Sequence, residues 1–348
     1  SSQQSLSKLA EITDVILSQN TDYKILKDTL DKLTALFLST SKLNIDADVN
    51  ATHLHLASGK AIGLKWAAMC IQDLIRTKQF MSGVNKAILD KQKTKTEDPI
   101  QILYAGSGPF ATIVMPLITK FTPDEIQFTC LEVNPISVQS LKNVIDALDA
   151  TAYFRAIHEC DASQFQLPNE VAIDIVLIEV LQMALAREPQ VAITYNLLPQ
   201  LPKKVTLIPQ EISLRIAVVN TKKEQEHMFA ADPNKEIDYL TEIAEVFKIN
   251  KDEVLAKHKE SNVLTFVEKD IQFSKKQIDD NSAAAILTEI HVYDSFKLGL
   301  KDSGLTIPSV FADLNHEKEL TGVKTQYVAN NDPYLQTILI RKSPPSII

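Results

Sequence analysis

Glycine, cysteine and tryptophan are all scarce in this chain. Only 8 of its 348 residues are glycine, so collagen-like and glycine-rich low-complexity architectures are excluded. The three cysteines, Cys70, Cys130 and Cys160, form no Cys-x-x-Cys pair and no zinc spacing. They read as reduced core residues, and the expected location is the cytoplasm. The pair His53-Leu-His55 has no third ligand nearby in the sequence, so no metal site is expected. A P-loop is excluded because no Gly-Lys is followed by Ser or Thr. No apolar run reaches the ~18 residues of a membrane-spanning helix. The opening Ser1-Ser-Gln-Gln-Ser5 lacks the apolar stretch of a secretory leader. A net charge of −8 argues against a nucleic-acid surface, which needs clustered Lys and Arg. It is compatible with a cationic substrate, although acidity also serves solubility alone.

What is present is a globular composition, 45% apolar and 23% charged, in a chain long enough to bury a large core. Residues 1–97 carry helical spacing, first through Leu6, Leu9, Ile12, Val15 and Ile16, then through Leu26, Leu30, Leu33, Leu36 and Phe37. After a polar break at 46–50, a longer helical pattern through Trp66, Cys70, Leu74, Ile75 and Ile88 runs to a charged linker at 91–99. Over 98–208, short apolar strands at 101–105, 126–131, 152–157 and 173–178 alternate with helical patterns, one of them through Val114 and Leu117. That alternation predicts an α/β fold with a doubly wound parallel sheet. Residues 209–348 are β-rich, with strands expected at 213–219, 263–267, 286–293, 323–328 and 335–340. A charged, helical insertion at 233–259, built on Ile237, Leu240, Ile243, Ala244 and Phe247, interrupts them and motivates the expectation of a homodimer.

The chemistry collects at strand ends. The first strand runs into Tyr104-Ala-Gly-Ser-Gly-Pro-Phe110. There Gly106 and Gly108 let the backbone approach a ligand, and a following helix would aim N–H groups at it. The second strand ends in Glu132, a residue type able to hold both hydroxyls of a ribose. The third is followed by Asp161-Ala162, beside the place of an adenine. Ligands bind at the carboxyl ends of strands in such sheets, so the three features read together as a site for an adenosine-containing cofactor. The fourth strand leads into Glu179 and, nine residues on, Glu188. Two converging carboxylates match the forked donors of a planar guanidinium. Each feature taken alone has a plainer reading: a tight turn, a solvated strand end, a helix cap, a surface charge. Their order along one sheet edge is what argues for chemistry.

In that order, and with Asp73-Leu-Ile-Arg-Thr77 on the preceding helix, the motifs resemble the class I S-adenosylmethionine-dependent methyltransferases. They are most similar to the protein arginine methyltransferases, over about residues 65–220. The resemblance implies S-adenosylmethionine as cofactor and a Rossmann-like sheet followed by a barrel-like β domain. It implies that Arg76 pairs with the cofactor's methionyl carboxylate and that Gly106 and Gly108 line its methionyl and ribose part. Glu132 would hold the ribose, and Asp161 and Ala162 would flank the adenine. Glu179 and Glu188 would be the catalytic "double-E" pair that clamps the substrate, with Phe80 facing it where the family often has a tyrosine.

The chain also departs from that family. Tyr104-Ala105 replaces the acidic residue that commonly precedes the first glycine, and the family's Thr-His-Trp loop is missing, the only tryptophan being Trp66. His291 is the candidate substitute, against the plainer reading of an ordinary strand histidine. These departures and the extra N-terminal helices favour a small amine or guanidine, such as arginine or a derivative, over a protein substrate. Two alternatives stay open. One is a protein arginine methyltransferase. The other is a nicotianamine-synthase-like transferase of the cofactor's aminobutanoyl arm, which the Gly-Ser-Gly-Pro-Phe turn resembles. A non-enzymatic cofactor-binding scaffold is the reading outside enzymology.

Overall fold

The computed structural model describes residues 1–342 apart from positions 45, 48–51, 96, 170–171, 233–237, 261–263, 316 and 318. Part of the polar break and of the charged linker therefore lies outside the described residues, as does Ile237. Two helices open the chain, α1 (Ser2–Leu17) and α2 (Tyr23–Ser41). Asp22 caps α2 by accepting from the Lys24 and Ile25 N–H groups at 2.7 and 3.2 Å, which satisfies donors that have no partner within the helix. The apolar stripes bury as their spacing predicts, Leu9, Ile12 and Ile16 on one helix and Leu26, Leu30, Leu33 and Phe37 on the other.

The next stretch is not helical throughout. An antiparallel hairpin, β1 (Leu54–Leu56) and β2 (Gly59–Ala61), precedes a short α3 (Leu64–Met69) and the longer α4 (Leu74–Gln92). The parallel region then runs β3 (Ile100–Ala105), β4 (Ile126–Glu132), α5 (Pro135–Ala147), β5 (Phe154–Glu159), β6 (Ile175–Ile178), α6 (Gln190–Leu197) and β7 (Thr206–Ile208). Its five strands are all parallel, in the order β5-β4-β3-β6-β7. Every residue of β3 and β6 is buried, because a parallel strand is covered on both faces and reads as a continuous apolar run. The chain steps outward from β3 to β5, then returns to the other side of β3. That reversal leaves a crevice at the carboxyl ends of β3 and β6.

The α-helix expected after the glycine turn does not form. Residues 106–114 are mostly turns, followed by a short 3-10 segment at Met115–Thr119. Pro109, a left-handed Ala111 (φ 46°) and Pro116 all oppose an α-helix here. The N-terminal helices fill the gap. Phe37 of α2 stacks on Phe110 with ring centroids 5.2 Å apart, and Thr13 of α1 donates to the Pro116 carbonyl at 3.2 Å.

The β-rich part follows: β8 (Glu211–Asn220), α7 (Thr221–Met228), β9 (Leu240–Asn250), α8 (Lys251–Glu260), β10 (Lys269–Gln272), β11 (Ser282–Tyr293), β12 (Phe296–Leu298), β13 (Ser309–Asp313), β14 (Leu320–Val328) and β15 (Tyr334–Arg341). One antiparallel sheet has the order β12-β11-β8-β9, with β13 also on β11, and the other is β10-β14-β15. Phe247 of β9 stacks on Tyr327 of β14 at 4.5 Å, and Phe266 meets both rings edge-on. The insertion read as helical is thus corrected. Leu240–Asn250 is a strand, and only 251–260 is helix. The strand expected at 263–267 is corrected too: Val263 lies outside the described residues, and 264–267 are unpaired coil. One hydrophobic core runs continuously through the helices, the parallel sheet and the β-rich part. Among the described residues no helix is long and apolar enough to cross a membrane.

Candidate active site

The sheet's crevice is a cleft lined on one side by the glycine turn and the ends of the inner strands and on the other by the N-terminal helical part. Arg76, Phe80, Gly106, Gly108, Glu132, Asp161, Ala162, Glu179 and Glu188 all line it. The structure therefore gathers the nine residues singled out from the sequence into one place.

The glycine turn shows why two glycines are needed. At Gly106 (φ +79°) a Cβ would lie 2.3 Å from Val180 Cγ1 and 2.9 Å from the Glu179 carbonyl, so the turn packs directly on the end of β6. At Gly108 (φ +65°) a Cβ would meet nothing within 4 Å, and the backbone there faces the open cleft. The Gly108 N–H donates to Glu132 Oε2 at 2.8 Å, and the Asn134 N–H donates to Oε1 at 2.9 Å. Burial raises the pKa of the Glu132 carboxyl, while these backbone donors pull it down. Both oxygens keep further acceptor capacity for hydroxyl groups. Asp161 uses Oδ1 to accept from the Ser163 N–H and hydroxyl at 2.9 and 2.7 Å. Asn196 donates to the Ala162 carbonyl at 2.9 Å and fixes the same loop.

Arg76 and Phe80 are four residues apart on α4 and so share a helix face. Arg76 Nη2 donates to Glu179 Oε1 in an ion pair whose side chains are each only 12% exposed. Burial alone would lower the Arg76 pKa; the Glu179 charge overcomes it and raises the value, so the guanidinium stays charged. Burial raises the Glu179 carboxyl, against the pull of Arg76. At the head of α4, Asp73 Oδ2 accepts from the Ser303 hydroxyl at 2.6 Å and the Gly304 N–H at 3.1 Å. A loop of the β-rich part thereby anchors the helix that carries Arg76.

The loop from Glu179 to Glu188 is held from every side. Gln190 bridges its base, accepting from the Val180 N–H at 3.0 Å and donating to the Ile178 carbonyl at 2.9 Å. The Ala184 N–H donates to Thr288 Oγ1 at 2.9 Å, and the Tyr327 hydroxyl donates to the Leu185 carbonyl at 2.7 Å. The Arg187 N–H donates to the Pro333 carbonyl, and the Arg187 carbonyl accepts from the Lys60 N–H, both at 2.7 Å. Ala184, Leu185 and Arg187 have left-handed φ of 59°, 52° and 66°. Such residues cost about 1–3 kcal/mol each and persist only where their surroundings over-determine them. The result is Glu188 turned into the cleft, 5% exposed. Burial and the Glu179 charge push its carboxyl up to about 7.

Sequence reasoning missed Lys60, Cys70 and Tyr104 as site residues, all of which line the cleft. Lys60 sits on hairpin β1–β2, whose turn residue Ser58 shares a hydroxyl–hydroxyl hydrogen bond with Ser163 at 2.9 Å. No periodicity announces a six-residue pairing, although Ser58-Gly59 is a turn signal. His53 braces the hairpin by accepting from the Gly63 N–H at 2.9 Å. Among the described residues no group of metal-ligating side chains forms. His291 bonds to the Asp294 carbonyl at 2.5 Å and does not line the cleft, which agrees with the plainer reading of an ordinary strand histidine.

The same arrangement, a parallel sheet continued by a β-rich region, recurs in solved structures of protein arginine methyltransferases. A crystal structure of PRMT6 with SAH matches at a TM-score of 0.54 and 12% identity, over 80% of this chain and 100% of that one. The Trypanosoma brucei PRMT1 enzyme–prozyme heterotetrameric complex with AdoHcy matches at 0.50 and 12% identity, over 79% of this chain and 92% of that one. No family model and no curated protein matches the sequence. The likeness is one of fold.

Proposed function

We propose that this protein is an S-adenosylmethionine-dependent N-methyltransferase whose acceptor is the guanidine or amine of a small molecule, such as arginine or a derivative. One observation carries the reading: Glu179 and Glu188 converge in the same cleft as Arg76, Glu132 and the open backbone of Gly108. The donor set suits the cofactor. Glu132 has acceptor capacity for a ribose, and a guanidinium with five N–H donors can hold Glu179 and a methionyl carboxylate together. When bound, the cofactor supplies a methyl on a sulfonium for in-line transfer to nitrogen.

The remaining work falls to the chain's own residues. Glu179, oriented by Arg76, and Glu188, oriented by its strained loop, grip the acceptor's cation. They localise its positive charge away from the reacting nitrogen. Burial and the Glu179 charge also raise the Glu188 carboxyl to about 7, which suits it to accept the proton released after transfer. In this reading residues 1–97 close the cleft, 98–208 hold the donor and 209–348 support the glutamate loop. Self-association belongs to the same proposal, and a monomeric mass in solution counts against that part alone.

A protein arginine acceptor is the second reading, and the fold likeness favours it. Incubation with labelled cofactor and a panel of guanidines, amines and arginine peptides separates the cases by product mass. Release of S-adenosylhomocysteine supports methyl transfer, while methylthioadenosine replaces it with aminobutanoyl transfer. Turnover that survives both Glu179→Gln and Glu188→Gln rules out the clamp.

A further inference from the structure

The cleft contains a cation that the methyl-transfer reading does not use. Two cationic side chains line it, Arg76 and Lys60. Arg76 is committed to Glu179. The Lys60 ammonium has no ion-pair or hydrogen-bond partner among the described residues. The residue as a whole is half-buried.

Lys60 is nevertheless firmly placed. Its N–H donates to the Arg187 carbonyl at 2.7 Å, one residue from Glu188. The preceding Gly59 (φ +145°) lies so close to the loop that a Cβ there would come within 2.7 Å of the Arg187 carbonyl and 3.1 Å of the Pro189 nitrogen. Ser58 ties the same hairpin to Ser163 beside the Asp161 loop. The hairpin therefore bears on the glutamate loop, and its lysine enters the glutamates' cleft.

A positive side chain in that position opposes the binding of a plain cation. It favours a ligand that presents a cation to Glu179 and Glu188 and an anion to Lys60. An arginine inside a protein has its carboxyl group tied up in a neutral amide, whereas a free amino acid keeps it as a carboxylate. Resting on the methyl-transfer reading above, we infer that Lys60 recognises the carboxylate of the acceptor, so that the acceptor class is a free guanidino or amino acid. Lys60 is then a specificity residue, not a catalytic one. Its field also reaches Glu188, whose carboxyl it pulls down.

The test compares acceptors that differ only in the carboxylate, L-arginine with agmatine and L-lysine with cadaverine, on wild type, Lys60→Met and Lys60→Arg. In one of the pairs, wild type is expected to favour the carboxylate-bearing member in kcat/KM by on the order of 10- to 100-fold, the worth of a charge-assisted hydrogen bond. In Lys60→Met the ratio falls toward one through a higher KM for the amino acid, and Lys60→Arg restores much of it. Melting temperature and binding of S-adenosylhomocysteine alone are measured on all three proteins. Absence of carboxylate preference in both pairs overturns the inference, and so does an equal loss on both members in Lys60→Met. Weakened S-adenosylhomocysteine binding with an unchanged acceptor ratio assigns Lys60 to the donor's carboxylate instead. If no acceptor is methylated, the methyl-transfer reading fails by itself. Calorimetric binding of the same pairs to the S-adenosylhomocysteine-loaded protein then decides the role of Lys60.

Discussion

The hydroxyl of Tyr327 reaches across 142 residues to donate to the Leu185 carbonyl at 2.7 Å. Tyr327 belongs to β14 in the β-rich part, and Leu185 lies in mid-course between Glu179 and Glu188 with a left-handed backbone. The bond is buried, so removing the donor leaves the carbonyl without a partner and away from water. Tyr327→Phe is expected to lower stability by about 1–3 kcal/mol. It is also expected to raise the acceptor KM, with S-adenosylhomocysteine affinity within about twofold of wild type. Thermal melts together with separate titrations of donor and acceptor check this; equal weakening of both ligands counts against a role confined to the glutamate loop.

The two glycines of the turn are expected to fail differently. Gly106→Ala places a methyl group 2.3 Å from Val180 and keeps a φ of +79°, so both strain and overlap destabilise it, by roughly 2–4 kcal/mol. Gly108→Ala carries only the conformational penalty of about 1 kcal/mol, since nothing lies within 4 Å of the new Cβ. That methyl group enters the open cleft, so the milder variant should still bind S-adenosylhomocysteine poorly. Calorimetry on the folded Gly108→Ala protein decides the point.

Glu132→Ala strips the Gly108 and Asn134 N–H groups of their acceptor and removes the partner proposed for the ribose. A loss of S-adenosylhomocysteine affinity on the order of 100-fold is expected. Fluorescence or calorimetric titration measures it, and near-normal affinity would mean that the ribose is held elsewhere.

Glu188 makes activity and stability depend on pH in opposite senses. Burial and the Glu179 charge push its carboxyl from 4.5 up to about 7, so it must lose a proton before it can grip a cation. The acceptor kcat/KM is expected to fall about tenfold per pH unit below that value and to level off above it. For folding, the native state binds the extra proton between pH 4.5 and about 7, so this residue's contribution to stability declines as pH rises through that window. Glu188→Gln should accordingly be the more stable protein at pH 8, by on the order of 3 kcal/mol, with little difference near pH 4. Parallel melts across pH test the sign; a variant that is less stable at pH 8 contradicts it.

The parallel sheet was legible because its inner strands are unbroken apolar runs, such as Ile175–Ile178, set between turn residues. The strand Leu240–Asn250 was misread for a definite reason. Opposite β8, the pairing passes over Val246 and Ile243, as Leu214 pairs with Phe247, Arg215 with Glu245, Ile216 with Ala244 and Ala217 with Glu242. Each bulge shifts the alternation by one residue, so Leu240, Ile243, Ala244 and Phe247 fall at the three- and four-residue spacing of a helix.

What the sequence determines alone is the identity and order of the chemistry: a glycine turn, an acid at a strand end and a pair of glutamates after the next buried strand. Those features are local, because strand ends and turns are set by short-range residue preferences. Tertiary structure alone decided how Glu188 turns into the cleft, since Thr288, Tyr327, Pro333 and Lys60 hold its strained loop from distant parts of the chain. It alone brought Lys60 to the glutamates, through a short hairpin that docks by backbone contact and leaves no periodic trace. Burial, which sets the charge state of Glu188, likewise exists only once those pieces have packed together.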